Sequence, residues 1–208
     1  MSEARRVGVY GGTFDPIHFG HLAIAEEARV ALGLHQVLFV PAAYQPLKGA
    51  AAGARPEQRL AMVHLACADN PAFVPDDLEL RRPPPSYTAD TLELLQQRFG
   101  PAVELWFVLG ADAVRDLQRW RRVAAILAIA RLAIVGRPGY RLDRDALEAA
   151  LPAVSGRYVL LDGPGLALSS TMLRQRLAAG RPVRYLLPET VRRYITEQQL
   201  YRSDEPDG

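Results

Sequence analysis

Two histidines, His18 and His21, stand three residues apart in the stretch GVYGGTFDPIHFGH (8–21), beside two adjacent glycines and an Asp-Pro turn. Such a pair could hold a metal, move protons or handle phosphate. A catalytic zinc site takes three protein ligands with partners behind them. Asp15 could be the third, but His35 opens a strand, His64 sits mid-helix, and Cys67 is the only cysteine. A redox dinucleotide site needs G-x-G-x-x-G, and a Walker loop needs Gly-Lys-Ser/Thr. The turn here reads Gly11-Gly12-Thr13-Phe14-Asp15-Pro16 and fits neither. Phosphate fits best. Gly11 and Gly12 allow close backbone approach to an anion, and His18 and His21 fall at the first turn of the next helix, where N–H groups and the dipole favour negative charge. Gly20 leaves room between the rings, so two imidazoles could grip a phosphorus centre gaining charge in a transition state. A metal site and a purely structural histidine pair stand as the alternatives.

A second segment supports this reading. In LSSTMLR (168–174), Ser169, Ser170 and Thr171 are strong capping residues that would open another anion-binding helix start, with Arg174 one turn on. An ordinary N-cap is the alternative. Of 25 Lys and Arg residues, only Lys48 is lysine. It lies in a long Gly/Ala/Pro loop (42–56), where a compact charge suits phosphate and an exposed loop lysine is the plain alternative.

The positioning elements follow from patterning. RRVGVYGG, HQVLFVP, VELWFVLG, RLAIVGRPG and RYVLLDG read as buried strands. GHLAIAEEARVALG reads as an amphipathic helix with Leu22, Ala25, Ala28 and Leu32 on one face and Gly33 as its stop. EQRLAMVHLACAD, SYTADTLELLQQRFG, DRDALEAAL, SSTMLRQRLAAG and PETVRRYITEQQ are also helical. Alternating strands and helices predict an α/β, Rossmann-like, doubly wound, mainly parallel sheet with helices on both faces and a helical C-terminal part. Ligands then bind beyond the carboxyl ends of the strands, where the histidine motif falls. The chain is expected to be one domain (1–208), with a core of about 6–201 and a tail at 202–208.

The apolar share of 49%, the charged share of 23% and a net charge of +2 give no bulk reason to expect nucleic acid or membrane partners. One cysteine excludes an internal disulfide, and Cys67 is expected as a small buried side chain. No stretch approaches the roughly 18 apolar residues of a membrane span, nor is a signal-peptide h-region visible. A soluble cytoplasmic protein is the expectation; a homo-oligomer is left open.

The residues carry a resemblance. GGTFDPIHFGH resembles the T/H-x-G-H signature of the nucleotidyltransferase superfamily, and LSSTMLR its second motif, I-S-S-T-x-x-R. PSYTADTL (85–92), GAD (110–112) followed by Trp120, GRPG (136–139), YLLPETVRRYI (185–195) and a terminal LY resemble the bacterial nicotinate-nucleotide adenylyltransferases over roughly residues 6–201. Pantetheine-phosphate adenylyltransferases share the two superfamily motifs but lack the SYT, GAD and Trp set. A non-catalytic nucleotide sensor would be the reading from another class; the intact motifs argue against it.

The resemblance implies adenylyl transfer from ATP to nicotinate mononucleotide in NAD biosynthesis, with Mg²⁺ carried mainly by the triphosphate and waters. His18, His21, Lys48 and Arg174 would be catalytic. Gly11, Gly12, Thr13, Phe14, Arg137, Leu168, Ser169, Ser170 and Thr171 would join the histidines and Arg174 on ATP. Tyr87, Thr88, Gly110, Asp112, Trp120 and Lys48 would bind the mononucleotide. Thr88 would offer an N–H to the ring carboxylate, Trp120 would stack on the ring, and Asp112 would meet a ribose hydroxyl. The family usually shows Pro-Pro-His-Lys at the loop lysine; here Gln45-Pro46-Leu47-Lys48 puts a leucine, unable to hydrogen-bond, where the histidine would be.

Overall fold

The structure is a computed structural model describing residues 5–43, 53–136 and 142–202. The expectations for Leu47, Lys48 and Arg137 therefore lie outside the described residues. Six strands form one sheet: β1 (Arg5–Gly12), β2 (Gln36–Pro41), β3 (Phe73–Pro75), β4 (Val103–Gly110), β5 (Ala130–Val135) and β6 (Tyr158–Leu161). Their order is β3-β2-β1-β4-β5-β6, and every pairing is parallel.

Alternate residues of a strand face opposite sides of a sheet. Val7, Val9, Leu38, Val40, Leu105, Phe107, Leu109, Leu132 and Ile134 enter one apolar cluster; Tyr10, Val37, Phe39, Trp106, Val108, Ala133 and Val135 enter the other. Central strands buried on both faces explain the near-continuous apolar runs. α1 (Phe19–Leu32), α2 (Pro56–Cys67), α6 (Ser170–Ala178) and α7 (Glu189–Glu197) cover the second cluster. α3 (Thr88–Phe99), α4 (Val123–Ile129) and α5 (Arg144–Ala150) cover the first. Among the described residues, no helix is long and apolar enough to cross a membrane.

The strand order reverses between β1 and β4, so the crevice of a doubly wound sheet opens beyond Gly12 and Gly110. α1 stops as its sequence predicts, with Gly33 at φ +60°. Some elements escape the pattern reading, among them the short 3-10 turn Pro152–Val154. β3 is a three-residue edge strand ending in Pro75. A 3-10 helix (Ala111–Arg119) buries Ala111, Val114 and Leu117, three residues apart as a three-residue turn requires. α4 follows it for seven residues.

Cys67 is buried at the end of α2, and burial pushes its thiol up to about 12. At pH 8 about one molecule in ten thousand would carry a thiolate. Ellman's reagent should label the folded protein far more slowly than the urea-unfolded chain; equal rates would contradict this packing.

Candidate active site

The turn after β1 is built around a wedged ring. Phe14 adopts φ +50°, uncommon outside glycine, and its side chain is 2% exposed. A Cβ on Gly12 would meet that ring at 3.0 Å, so glycine is what lets Phe14 fold back over the strand end. The Phe14 ring backs His21 edge-on, with centroids 5.2 Å apart.

His18 is the N-cap of α1, and His21 lies three residues into it. The His18 N–H donates to His21 Nδ1 at 3.3 Å, and the rings stack with centroids 3.7 Å apart. With Nδ1 accepting, neutral His21 carries its proton on Nε2. His18 is 1% exposed, while His21 is half-buried. A Cβ on Gly20 would lie 3.0 Å from His18 Cε1 and Nδ1 and 3.4 Å from Leu168 Cβ. Gly20 therefore makes room for the stack and for the approach of the second motif.

That motif docks directly on the first. Ser169 caps α6 by accepting from the Met172 N–H at 3.2 Å. Ser170 Oγ donates to the Pro16 carbonyl at 2.9 Å. Helix geometry leaves the Ser170 and Thr171 N–H groups without intrahelical partners. Two helix N-termini thus converge beside the stacked imidazoles, an arrangement suited to a polyanion.

Below them lies a buried carboxylate. Asp15, 2% exposed, accepts from Gly53 N–H at 2.8 Å, Ala54 N–H at 3.1 Å and the Tyr201 hydroxyl at 2.6 Å. Arg174 Nη1 donates to the Asp15 carbonyl at 2.7 Å and lies 3.6 Å from its carboxylate. Arg59, 1% exposed, donates to the Thr13 carbonyl at 2.7 Å and the Ala43 carbonyl at 3.3 Å. Burial pulls its guanidinium below the ordinary value, with Asp15 opposing. So occupied, Asp15 is not a spare metal ligand. Among the described residues, no group of three or more His, Cys, Asp or Glu could hold a metal ion.

The second group of expected residues lies along the same sheet edge. Phe107 links them: a Cβ on Gly11 would meet its ring at 3.6 Å, and Trp120 packs edge-on against it at 5.7 Å. Tyr87 is the extended N-cap of α3, Thr88 its first residue, and the Arg121 guanidinium lies over the Tyr87 ring at 4.7 Å. Gly110 ends β4, and Asp112 is exposed in the first turn of the 3-10 helix. The α3 start is fixed from below by Glu79, which accepts from Thr91 Oγ1 at 2.6 Å. Burial raises the Glu79 carboxyl, while bonds from Thr91 and Ser86 oppose the rise. Arg82, to which the pattern reading assigns no role, donates to Thr91 and Asp90.

The structure thus gathers Gly12, Thr13, Phe14, His18, His21, Leu168, Ser169, Ser170, Thr171 and Arg174 around one turn. It sets Tyr87, Thr88, Gly110, Asp112 and Trp120 around β4 and α3. Sequence reasoning missed Asp15 as a structural hub, together with Arg59 and Tyr201. Arg59 did leave a signal, because it shares the buried i, i+3, i+4, i+7 stripe of α2 with Met62, Val63 and Ala66.

A parallel sheet with this order and two convergent N-termini at its switch point defines a nucleotide-handling α/β domain, and the cytidylyltransferase-like family matches residues 9–176. The chain is 54% identical over 202 residues to a "Probable nicotinate-nucleotide adenylyltransferase" of Roseiflexus sp. strain RS-1, covering 97% of this chain and 100% of that one. It is 51% identical to a protein of the same description from Herpetosiphon aurantiacus, covering 95% and 98%. The chain belongs to the nicotinate-nucleotide adenylyltransferase family. Its fold is also that of Plasmodium falciparum nicotinic acid mononucleotide adenylyltransferase complexed with NaAD. The TM-score is 0.78 at 20% identity, over 95% of this chain and 97% of that one.

Arg59→Met keeps the apolar stem but removes the guanidinium's hydrogen bonds to the Thr13 and Ala43 carbonyls, and should lower unfolding free energy by roughly 2–4 kcal/mol. Urea unfolding measures this. A variant as stable as the parent would mean those carbonyls find other partners.

Proposed function

We propose that this chain, as a single catalytic domain, transfers the adenylyl group of ATP to nicotinate mononucleotide in NAD biosynthesis. The products are deamido-NAD and pyrophosphate. The observation that carries the reading is the His18–His21 stack lying against the N-terminus of α6. Family membership supplies the acceptor.

The chemistry asks little proton work of the protein. The 5′-phosphate of the mononucleotide is already anionic; one of its oxygens attacks the α-phosphorus, and the bond from that phosphorus to the β-bridging oxygen breaks. Positioning and charge stabilisation are what remain. His21 Nε2–H, oriented by the His18 N–H on Nδ1, donates to the reacting α-phosphate. His18 holds His21 in place and adds a second imidazole on the phosphate side. Ser170 and Thr171 N–H groups and Arg174 receive the β- and γ-phosphates, while Gly11, Gly12, Thr13, Phe14 and Leu168 shape the wall. Lys48 and Arg137 belong to the same anion-binding set on family grounds. Mg²⁺ supplies further neutralisation when bound, held by the triphosphate because Asp15 is committed to Gly53, Ala54 and Tyr201.

Thr88 N–H at the start of α3 meets the ring carboxylate, with Trp120 and Tyr87 beside the ring and Gly110 and Asp112 near the ribose. An anion site of this kind favours the acid over the amide, which gains less from the helix dipole.

Pyrophosphate release is to be followed with Mg-ATP and, in turn, nicotinate mononucleotide, its amide and phosphopantetheine. Turnover should be highest with the acid. Turnover with phosphopantetheine alone, or with no acceptor, would overturn the assignment. His21→Ala should cut kcat by about 10³-fold while circular dichroism is unchanged; near-normal turnover would remove its charge-stabilising role.

A further inference from the structure

Asp15 and Tyr201 have no part in the transfer chemistry, yet Asp15 meets Arg174 directly and Tyr201 binds the Asp15 carboxylate. The guanidinium lies between the two anion-binding termini. Its Nη1 is tied to Asp15 through the backbone carbonyl at 2.7 Å and the carboxylate at 3.6 Å, and its Nη2 lies 3.5 Å from Thr171 Oγ1 in the first turn of α6. The side chain remains about a third exposed, so it is reachable from solvent. The carboxylate is pinned by Gly53, Ala54 and the Tyr201 hydroxyl. Gly53 backbone also covers the stem, since a Cβ there would meet Arg174 Cδ at 3.3 Å and the Tyr201 ring at 3.0 Å.

We infer that Asp15 and Tyr201 are positioning residues for ATP, acting through Arg174. Asp15 holds one guanidinium nitrogen so that the outer edge meets the triphosphate, and Tyr201 holds the carboxylate in the place that does so. The inference rests on the proposed function, because it takes Arg174 as a triphosphate ligand. Two physical points support it. Burial, with Asp15 adding to it, pushes the Tyr201 hydroxyl far above the ordinary phenol range, so it is a proton donor at every working pH. An arginine with one nitrogen already fixed loses less side-chain freedom when it meets a phosphate. The residue also spans the chain: the near-terminal Tyr201 reaches the first motif 186 positions away, which gives the LY segment a task at the nucleotide site.

Mg-ATP binding by titration calorimetry tests this without needing turnover, so it is independent of the acceptor assignment. Tyr201→Phe removes one donor and keeps the ring. It should weaken Mg-ATP binding about tenfold, leave the KM for the mononucleotide within twofold, and add nothing in an Arg174→Ala background. A purely structural anchor would instead shift both substrates alike, or shift ATP equally with and without Arg174. Either result, or unchanged ATP binding in folded Tyr201→Phe, overturns the inference. Asp15→Asn, which keeps the side-chain shape and loses the charge, is run in the same cycle, so a poorly folding variant of one residue leaves the other to decide. If the parent binds Mg-ATP but turns over no mononucleotide, the function fails while the positioning role is still read from the binding cycle.

Discussion

A carboxylate buried in the turn after β1 constrains much of what surrounds it. An ionised group out of water is costly unless its lone pairs are met, and Asp15 meets them with two backbone N–H groups, a tyrosine hydroxyl and an arginine. Those partners come from residues 53–54, 174 and 201, so satisfying one side chain draws three remote segments onto the turn. Arg59 adds a fourth tie, to the carbonyls of Thr13 and Ala43 at the ends of β1 and β2. The histidine turn is held from beneath by these bonds and from within by the Phe14 ring over Gly12.

That rigidity matters because the chemistry is one of placement. A phosphate nucleophile needs no base, and the protein's task is to present positive potential where charge accumulates. Helix dipoles from α1 and α6 meet at one point, and the capping arrangement of α1 doubles as tautomer control for His21. In the proposed reaction, the same hydrogen bond that starts the helix prepares the donor. At the start of α3, Arg82 and Arg122 neutralise Asp90, so the helix N-terminus keeps a potential favourable to an anion.

Much of this was legible in the chain. Buried strands announce themselves as apolar runs, capped helices by Gly33, Ser169 and the period of their apolar faces, and the two segments that meet at the turn after β1 by their paired histidines and capping residues. Less was legible where local pattern is weak. β3 is three residues long, and the 3-10 helix follows a three-residue period, unlike an α-helix. The hub was hidden for a different reason. Nothing near Asp15 in sequence says that Tyr201 will reach it, and Arg59 looks like a surface charge until its neighbours on the α2 stripe are seen to be core. Long-range polar pairing is set by the completed fold, whereas patterning reports only what each segment does by itself.

The central claim is that the stacked histidines and the α6 N-terminus form one phosphate-binding surface. A crystal structure with nicotinate mononucleotide and a non-hydrolysable ATP analogue tests it most directly. The account predicts an α-phosphate oxygen within hydrogen-bond reach of His21 Nε2, and the β- and γ-phosphates across Ser170, Thr171 and Arg174. A triphosphate seated elsewhere, with His21 turned away from phosphorus, would contradict it.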